Sequence, residues 1–435
     1  MSSLSQENSI HHQLAAVLVE LDQLRRHNAA WCSQLATSGA FADFVFDPSF
    51  LDIVEACKSP QISSQLHNDL AKEKDGARRL DRLCSTLIAT ALKRCGLWSD
   101  GQAVMSLDEI CQRMNVRFER RPQIKRLVRI LQEDNWVRGE PDGYRWIGEN
   151  PPDYSQIAAD AAMLEADFPF AGGAAGTLLR CIAALPGVLS GKLSPVAVLF
   201  SSGSVTELEV FYSRFPLLAL ANAMVAGAVT RLAEIRNGRP LRVLEVGAGT
   251  GALTAALLPA IGERLDQYVY SDISPSFLAH GLQKFSQCAA LRAMTLDIDK
   301  DPATQGLNDE SFDLVLGANV VHATPDIRRS IRHLRRALRT GGHLVLVETV
   351  APSRVADCTV GLFDGWWSFR DSTLRDGYPV LSMQQWQELL REEGFRVAVM
   401  PVGNQDGSSQ TSVAILIAVK LGAQYGFTTW ARPAM

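Results

Sequence analysis

No CxxC pair occurs among the eight cysteines, at positions 32, 57, 84, 95, 111, 181, 288 and 358, and no histidine stands at metal-ligand spacing beside them. That scatter excludes a disulfide framework and a zinc site, and it fits free thiols in a reducing cytosol. No stretch reads as eighteen consecutive apolar residues, so no membrane span is expected. The start, MSSLSQENSIHHQ, lacks the positive-then-apolar order of a secretory signal. Charge of one sign is scarce as well: 43 Lys+Arg against 47 Asp+Glu leave a net −4. A nucleic-acid partner calls for a basic excess, so none is expected. The chain therefore reads as cytoplasmic. What it does contain is ordinary globular material: 435 residues, 47% hydrophobic and 21% charged, enough for two or three cores.

Leu14, Leu18, Leu21 and Leu24 share a helical stripe, which suits a docking helix or packing onto its own domain. Further on, MSLDEICQRM (105–114) opens on Ser106 with Glu109 three residues later, the spacing of a capping box. RPQIKRLVRILQEDN (121–135) predicts a second amphipathic helix, and NWVRGEPDGYRWIG (135–148) a hairpin turning at Pro141, Asp142 and Gly143. Helix, helix and hairpin suggest a winged-helix-like module. Such a module binds DNA or serves as a structural wing, and the acidic balance favours the wing. NPPDY (150–154) is a break, and residues 199–238 predict two helical stretches parted near Phe215 and Pro216.

The most informative stretch is RVLEVGAGTG (242–251). A short apolar strand runs into a glycine turn at a helix N-terminus, where the backbone can approach a ligand and offer free N–H groups. Dinucleotide enzymes place GxGxxG there. This chain has Glu245 two positions before Gly247, Gly249 and Gly251. That variant resembles the signature of the class I S-adenosylmethionine (SAM) methyltransferases. The strand order agrees: QYVYSDIS (267–274), LRAMTLDID (291–299), FDLVLGAN (312–319), GGHLVLVE (341–348), then FRVAVM (395–400) and TSVAILIAVK (411–420).

The resemblance implies an α/β fold, a Rossmann-like seven-stranded sheet behind a mainly helical N-terminal domain, with SAM as cofactor. It implies that Glu245, Gly247, Gly249, Gly251 and Asn319 belong to the cofactor site. Asp272, ending the second strand, would take the ribose hydroxyls and Asp297 the adenine amine. The domain boundaries expected are 1–150 for the helical N-terminal part, 151–235 for a helical connector, 236–420 for the methyltransferase core and 421–435 for a tail.

ANVVHATPD (318–326) and LVLVETV (344–350) put His322 just past the fourth strand and Glu348 at the end of the fifth. Ligands of open α/β sheets bind at the carboxyl ends of strands, and in the methyltransferase sheet these two strands are neighbours. A histidine held by a glutamate can take a proton from a carbon between two carbonyls or from a hydroxyl. The segment 318–348, with GLFDGWWSFRDSTLRDGYPVLSMQQWQELLREEGF (361–395), is similar to the C-methyltransferase domains of polyketide synthases. That similarity implies a His322–Glu348 dyad and methylation of the α-carbon of a β-ketoacyl chain on an acyl carrier protein. It also places Tyr212 near cofactor or substrate.

Trp366 and Trp367 either wall an acyl pocket or pack the insertion onto the core. Six arginines between Arg328 and Arg339 either meet an acidic carrier or form a solvated face. No ketosynthase, acyltransferase or carrier sequence accompanies them. A free-standing enzyme and a piece of a larger synthase both stay open, the Met1 start favouring the first. The other readings are O-methylation of a carboxylate or hydroxyl of a small metabolite, and a winged-helix regulator with a vestigial SAM fold.

Overall fold

The computed structural model describes residues 48–99, 103–199, 215–403 and 412–422. Residues Ser49–Ala423 form one compact unit. The stripe expected at 14–24 and Tyr212 lie outside the described residues.

The first part of the unit is helical. A 31-residue helix, Ser64–Arg94, starts where the Ser63 side chain accepts from the Leu66 N–H. Strand β1 (Val104–Met105) leads to the helix Leu107–Arg113, whose capping box between Ser106 and Glu109 forms as the spacing predicts. Next come the helix Arg121–Glu133 and the hairpin of β2 (Val137–Glu140) and β3 (Gly143–Trp146); β1 pairs with β3 to complete a small sheet. Residues 80–199 share one hydrophobic core, which Val355, Cys358 and Leu362 join from far along the chain. Two buried tryptophans, Trp98 and Trp146, meet in it with ring centroids 5.7 Å apart.

The second part is an α/β sheet. Its strands are β4 (Leu241–Val246), β5 (Leu265–Asp272), β6 (Leu291–Thr295), β7 (Phe312–Ala318), β8 (Leu338–Thr349), β9 (Phe395–Pro401) and β10 (Val413–Lys420). Their order is β6-β5-β4-β7-β8-β10-β9, parallel except for β10, which runs antiparallel to both neighbours. This is the seven-stranded Rossmann-like sheet that the motif order implies. Both faces are covered, so the central strands read as continuous apolar runs. Alternate residues part accordingly: Leu314, Leu316, Val345 and Val347 join the core under the helices Pro216–Ile235 and Ala252–Ile261. Val315, Leu344 and Leu346 join the opposite core with Ile331 and Trp386 from the helices Ile327–Ala337 and Met383–Glu392.

The 20-residue helix Pro216–Ile235 is long and apolar enough to cross a membrane by length and composition, although its residues are not an unbroken apolar run. Its Ala221, Met224, Val225, Ala228 and Val229 are buried in the sheet's core, which accounts for the apolar composition.

Candidate active site

The glycine turn lies between β4 and the helix Ala252–Ile261. Gly247, Gly249 and Gly251 have φ of +58°, +55° and +72°, a region that side chains other than glycine enter at a cost. A Cβ on Gly247 would sit 2.2 Å from Val320 Cγ2, and one on Gly251 would sit 2.6 Å from the Phe285 ring. At Gly249 a Cβ would meet nothing nearer than the Gly247 carbonyl at 3.8 Å, so the middle of the turn is open. That opening is the cradle a nucleoside-bearing cofactor requires.

Asp272, at the end of β5, accepts from the Gly249 N–H at 3.0 Å and the Ser274 N–H at 2.8 Å. A carboxylate offers about four lone-pair sites, so these backbone bonds leave it capacity for a further donor. Burial pushes the Asp272 pKa above the usual carboxylate value, and the backbone donors of Ser274, Gly249 and Ile273 oppose that shift. Asp297, past β6, accepts from the Asp299 N–H at 3.1 Å and meets Lys300 Nζ at 3.2 Å.

Glu245 points away from the open turn. It is buried, with Tyr268 Oη donating to it at 2.5 Å and Thr254 Oγ1 donating as well. Burial raises its pKa to about 7. In this geometry it ties β4 to β5 and to the following helix beneath the turn. Asn319 also has a positive φ, +52°, and its Oδ1 accepts from the Thr349 N–H and hydroxyl at 3.0 and 2.8 Å. The ends of β7 and β8 are therefore latched together beside the rim. Sequence spacing alone does not reveal that latch, because both groups sit on different strands.

His322 follows, on a single 3-10 turn, Val321–Ala323. Its Nδ1 hydrogen-bonds Glu348 Oε2, and Glu348 Oε1 accepts from the Val321 N–H at 3.0 Å. Both residues are buried, at 4% and 0% exposure. A carboxylate only accepts, so in the neutral imidazole the proton lies on Nδ1 and Nε2 is left as the acceptor. The two residues named from sequence thus meet.

The Trp366 ring stands edge-on to His322, centroids 5.4 Å apart at 82°. Trp366 and Trp367 are both buried, and each packs against Tyr378. This wall is gripped by the helical part. Arg120 donates to the Leu362 carbonyl and pairs with Asp364 at 2.7 Å, and Arg126 donates to the fully buried Asp357 at 2.8 Å. Tyr378 Oη donates to the other Asp357 oxygen at 2.8 Å. A helix so engaged through Arg126 is packed against protein on the face that carries that residue. A cleft of about 920 Å³ is lined by Phe118, Lys125, Arg129, Pro352 and Tyr378, but by neither member of the dyad, so Tyr378 is its link to the site.

The arginine-rich helix is committed to its own chain. Arg328 pairs with Glu392 and Glu393, Arg329 with Asp299, Arg332 with Glu393, Arg336 with Asp301 and Asp309, and Arg339 with Asp313. His333 Nδ1 meets the Ile298 carbonyl at 2.9 Å. Among the described residues no cluster of three or more metal-ligating side chains occurs, and the seven described cysteines are free.

Comparison with known proteins agrees with this arrangement. A family model described as a methyltransferase domain matches residues 244–344. Among solved structures, the CurJ carbon methyltransferase superposes with a TM-score of 0.78 at 28% identity, covering 85% of this chain and 100% of that one. The chain is a class I S-adenosylmethionine-dependent methyltransferase. The DszA carbon methyltransferase gives a TM-score of 0.76 at 28% identity, covering 86% of this chain and 96% of that one. Among curated relatives, the polyketide synthase ThaG of Burkholderia thailandensis is 40% identical over 223 residues, 50% of this methyltransferase. The polyketide synthase ThaQ of the same organism is 31% identical over 355 residues, or 77%. The chain spans 4% and 16% of the lengths of those two synthases. SAM is the methyltransferase's cofactor, and its similarity is to methyltransferases of polyketide assembly.

Proposed function

We propose that this methyltransferase adds a methyl group to the α-carbon of a β-ketoacyl thioester borne by an acyl carrier protein, with His322 as base and Glu348 as its orienting partner. The observation that carries the reading is the buried His322–Glu348 hydrogen bond at the neighbouring ends of β7 and β8. The likeness to the CurJ and DszA carbon methyltransferases supports the carbon acceptor.

Bound SAM supplies an activated methyl on its sulfonium. The chain's own residues hold it and prepare the acceptor. The open turn at Gly249 would receive the nucleoside, Asp272 would take the ribose hydroxyls, and Asp297 would serve the adenine end. Nε2 of His322 takes the α-proton, which leaves the carbon between the two carbonyls as the nucleophile toward the methyl group that SAM would supply. Glu348 stabilises the imidazolium so formed and fixes its tautomer; a positioned general base such as His322 typically contributes roughly 10²–10⁴ in rate. Trp366 and Trp367 exclude water from the acyl chain.

The test presents SAM with a β-ketoacyl pantetheine thioester and, separately, with the matching free acid. Mass spectrometry then locates the added methyl for the wild type and for His322→Ala. A methyl on the α-carbon that disappears in the variant is the expected result. A methyl on oxygen that survives the substitution moves the protein to O-methyl transfer, since a carboxylate needs no base.

A further inference from the structure

The segment 369–379 approaches the His322 turn from outside the sheet. Arg375 is buried at 2% exposure. Its Nη1 donates to the His322 carbonyl at 2.8 Å, and its Nη2 donates to the carbonyls of Thr324 at 2.8 Å and Pro325 at 2.9 Å. Asp371 fixes the guanidinium through Nε at 2.5 Å, and its other oxygen accepts from the Ile327 N–H at 3.0 Å, at the start of the next helix. The Arg370 N–H adds a bond to the Pro325 carbonyl at 2.8 Å. The Phe369 ring lies under the guanidinium at 4.9 Å.

Glu348 holds His322 by its ring. Its other oxygen holds the start of the turn through the Val321 N–H, but the carbonyls of residues 322, 324 and 325 lie outside that grip, and a single 3-10 turn has little rigidity of its own. We propose that Arg375, set by Asp371, is the positioning residue of the catalytic loop. Its planar fork collects the carbonyls of residues 322, 324 and 325 and thereby fixes the height of His322 above the acceptor carbon. A guanidinium can do this because it offers five donors in a fixed plane, whereas an ammonium has three on a flexible stem. The inference rests on the reading of His322 as the base.

The experiment compares Arg375→Lys with wild type and with His322→Ala, using the β-ketoacyl pantetheine thioester and SAM. Arg375→Lys should lower kcat by ~10–100-fold, the scale of an ångström-sized misplacement. The KM for thioester and the Kd for SAM should stay within about twofold of wild type, because the fork touches neither. Nitrogen-15 NMR of the histidine ring should show the single Nδ1–H tautomer in wild type and a tautomer mixture in the variant. Asp371→Asn, which keeps an oxygen for the Ile327 N–H, should give the same split at smaller size and serves if Arg375→Lys does not fold. A wild-type kcat in both variants overturns the proposal. So does a fall in kcat that comes with an equal loss of SAM affinity and an unchanged ring tautomer, the mark of a purely structural role. If His322→Ala itself keeps full α-carbon methylation, the base assignment fails first, whatever Arg375→Lys does.

Discussion

Glu348→Gln changes one atom of the dyad and predicts a specific failure. In the wild type the carboxylate accepts from His322 Nδ1 and from the Val321 N–H. Glutamine keeps one oxygen, which can remain on Val321, and its amide then turns an N–H toward Nδ1. A donor facing Nδ1 favours the tautomer with the proton on Nε2, so the nitrogen facing substrate loses its lone pair. An asparagine in the orienting place of a Ser–His–Asp triad lowers turnover about 10⁴-fold by this route. We expect ~10³–10⁴ here, equal to about 4–5.5 kcal/mol of barrier. Folding should barely change, because Val321 keeps its acceptor. Glu348→Ala, by contrast, leaves that buried N–H bare and should cost about 1–3 kcal/mol of stability besides. The assay is single-turnover methylation of the pantetheine thioester, with SAM affinity by calorimetry and the melting temperature as controls. If Glu348→Gln turned over within about tenfold of wild type while binding SAM normally, the tautomer argument would be refuted.

Gly247→Ala places a Cβ 2.2 Å from Val320 Cγ2 at a φ of +58°. The backbone alone costs an alanine about 1–2 kcal/mol, so SAM affinity should fall at least about tenfold by calorimetry; an affinity within twofold of wild type would contradict the turn's role. Glu245 has its pKa raised from 4.5 to about 7 by burial. The folded state therefore holds the proton more tightly than the unfolded chain, and stability falls as pH rises from the unfolded value through about 7. Glu245→Gln should remove that decline, read as a flatter melting temperature between pH 4.5 and 7. Arg126→Met strands the buried Asp357 carboxylate and should lower stability by about 3–5 kcal/mol. Adding Asp357→Asn, which Tyr378 can still meet, should recover most of it in denaturant unfolding.

Much of this fold was legible because the sheet announces itself. Strands covered on both faces are continuous apolar runs, so β4, β7, β8 and β10 stand out, and the glycines of the turn mark positive φ before any coordinates. His322 and Glu348 were placed together by topology, since neighbouring parallel strands bring their carboxyl ends to one rim. Three features were not legible. Glu245 looked like a cofactor residue from its place in the motif, but the pleat turns its side chain into the core, where Tyr268 and Thr254 meet it. The arginines of residues 328–339 suited either a carrier or a solvated face, and only the fold brings Glu392, Glu393, Asp299, Asp301 and Asp309 to them. The Asp371–Arg375 spacing is visible in the sequence, but the role of Arg375 is not, because the groups its fork collects are backbone carbonyls some fifty residues away.

The most direct test of the account separates proton removal from methyl transfer. A β-ketoacyl pantetheine thioester is incubated with enzyme in D₂O, with S-adenosylhomocysteine in place of SAM, and α-deuterium uptake is followed by NMR. The account predicts uptake well above the uncatalysed rate with wild type and uptake near the uncatalysed rate with His322→Ala. Equal uptake in the two proteins, with methyl transfer intact in both, would contradict His322 as the base.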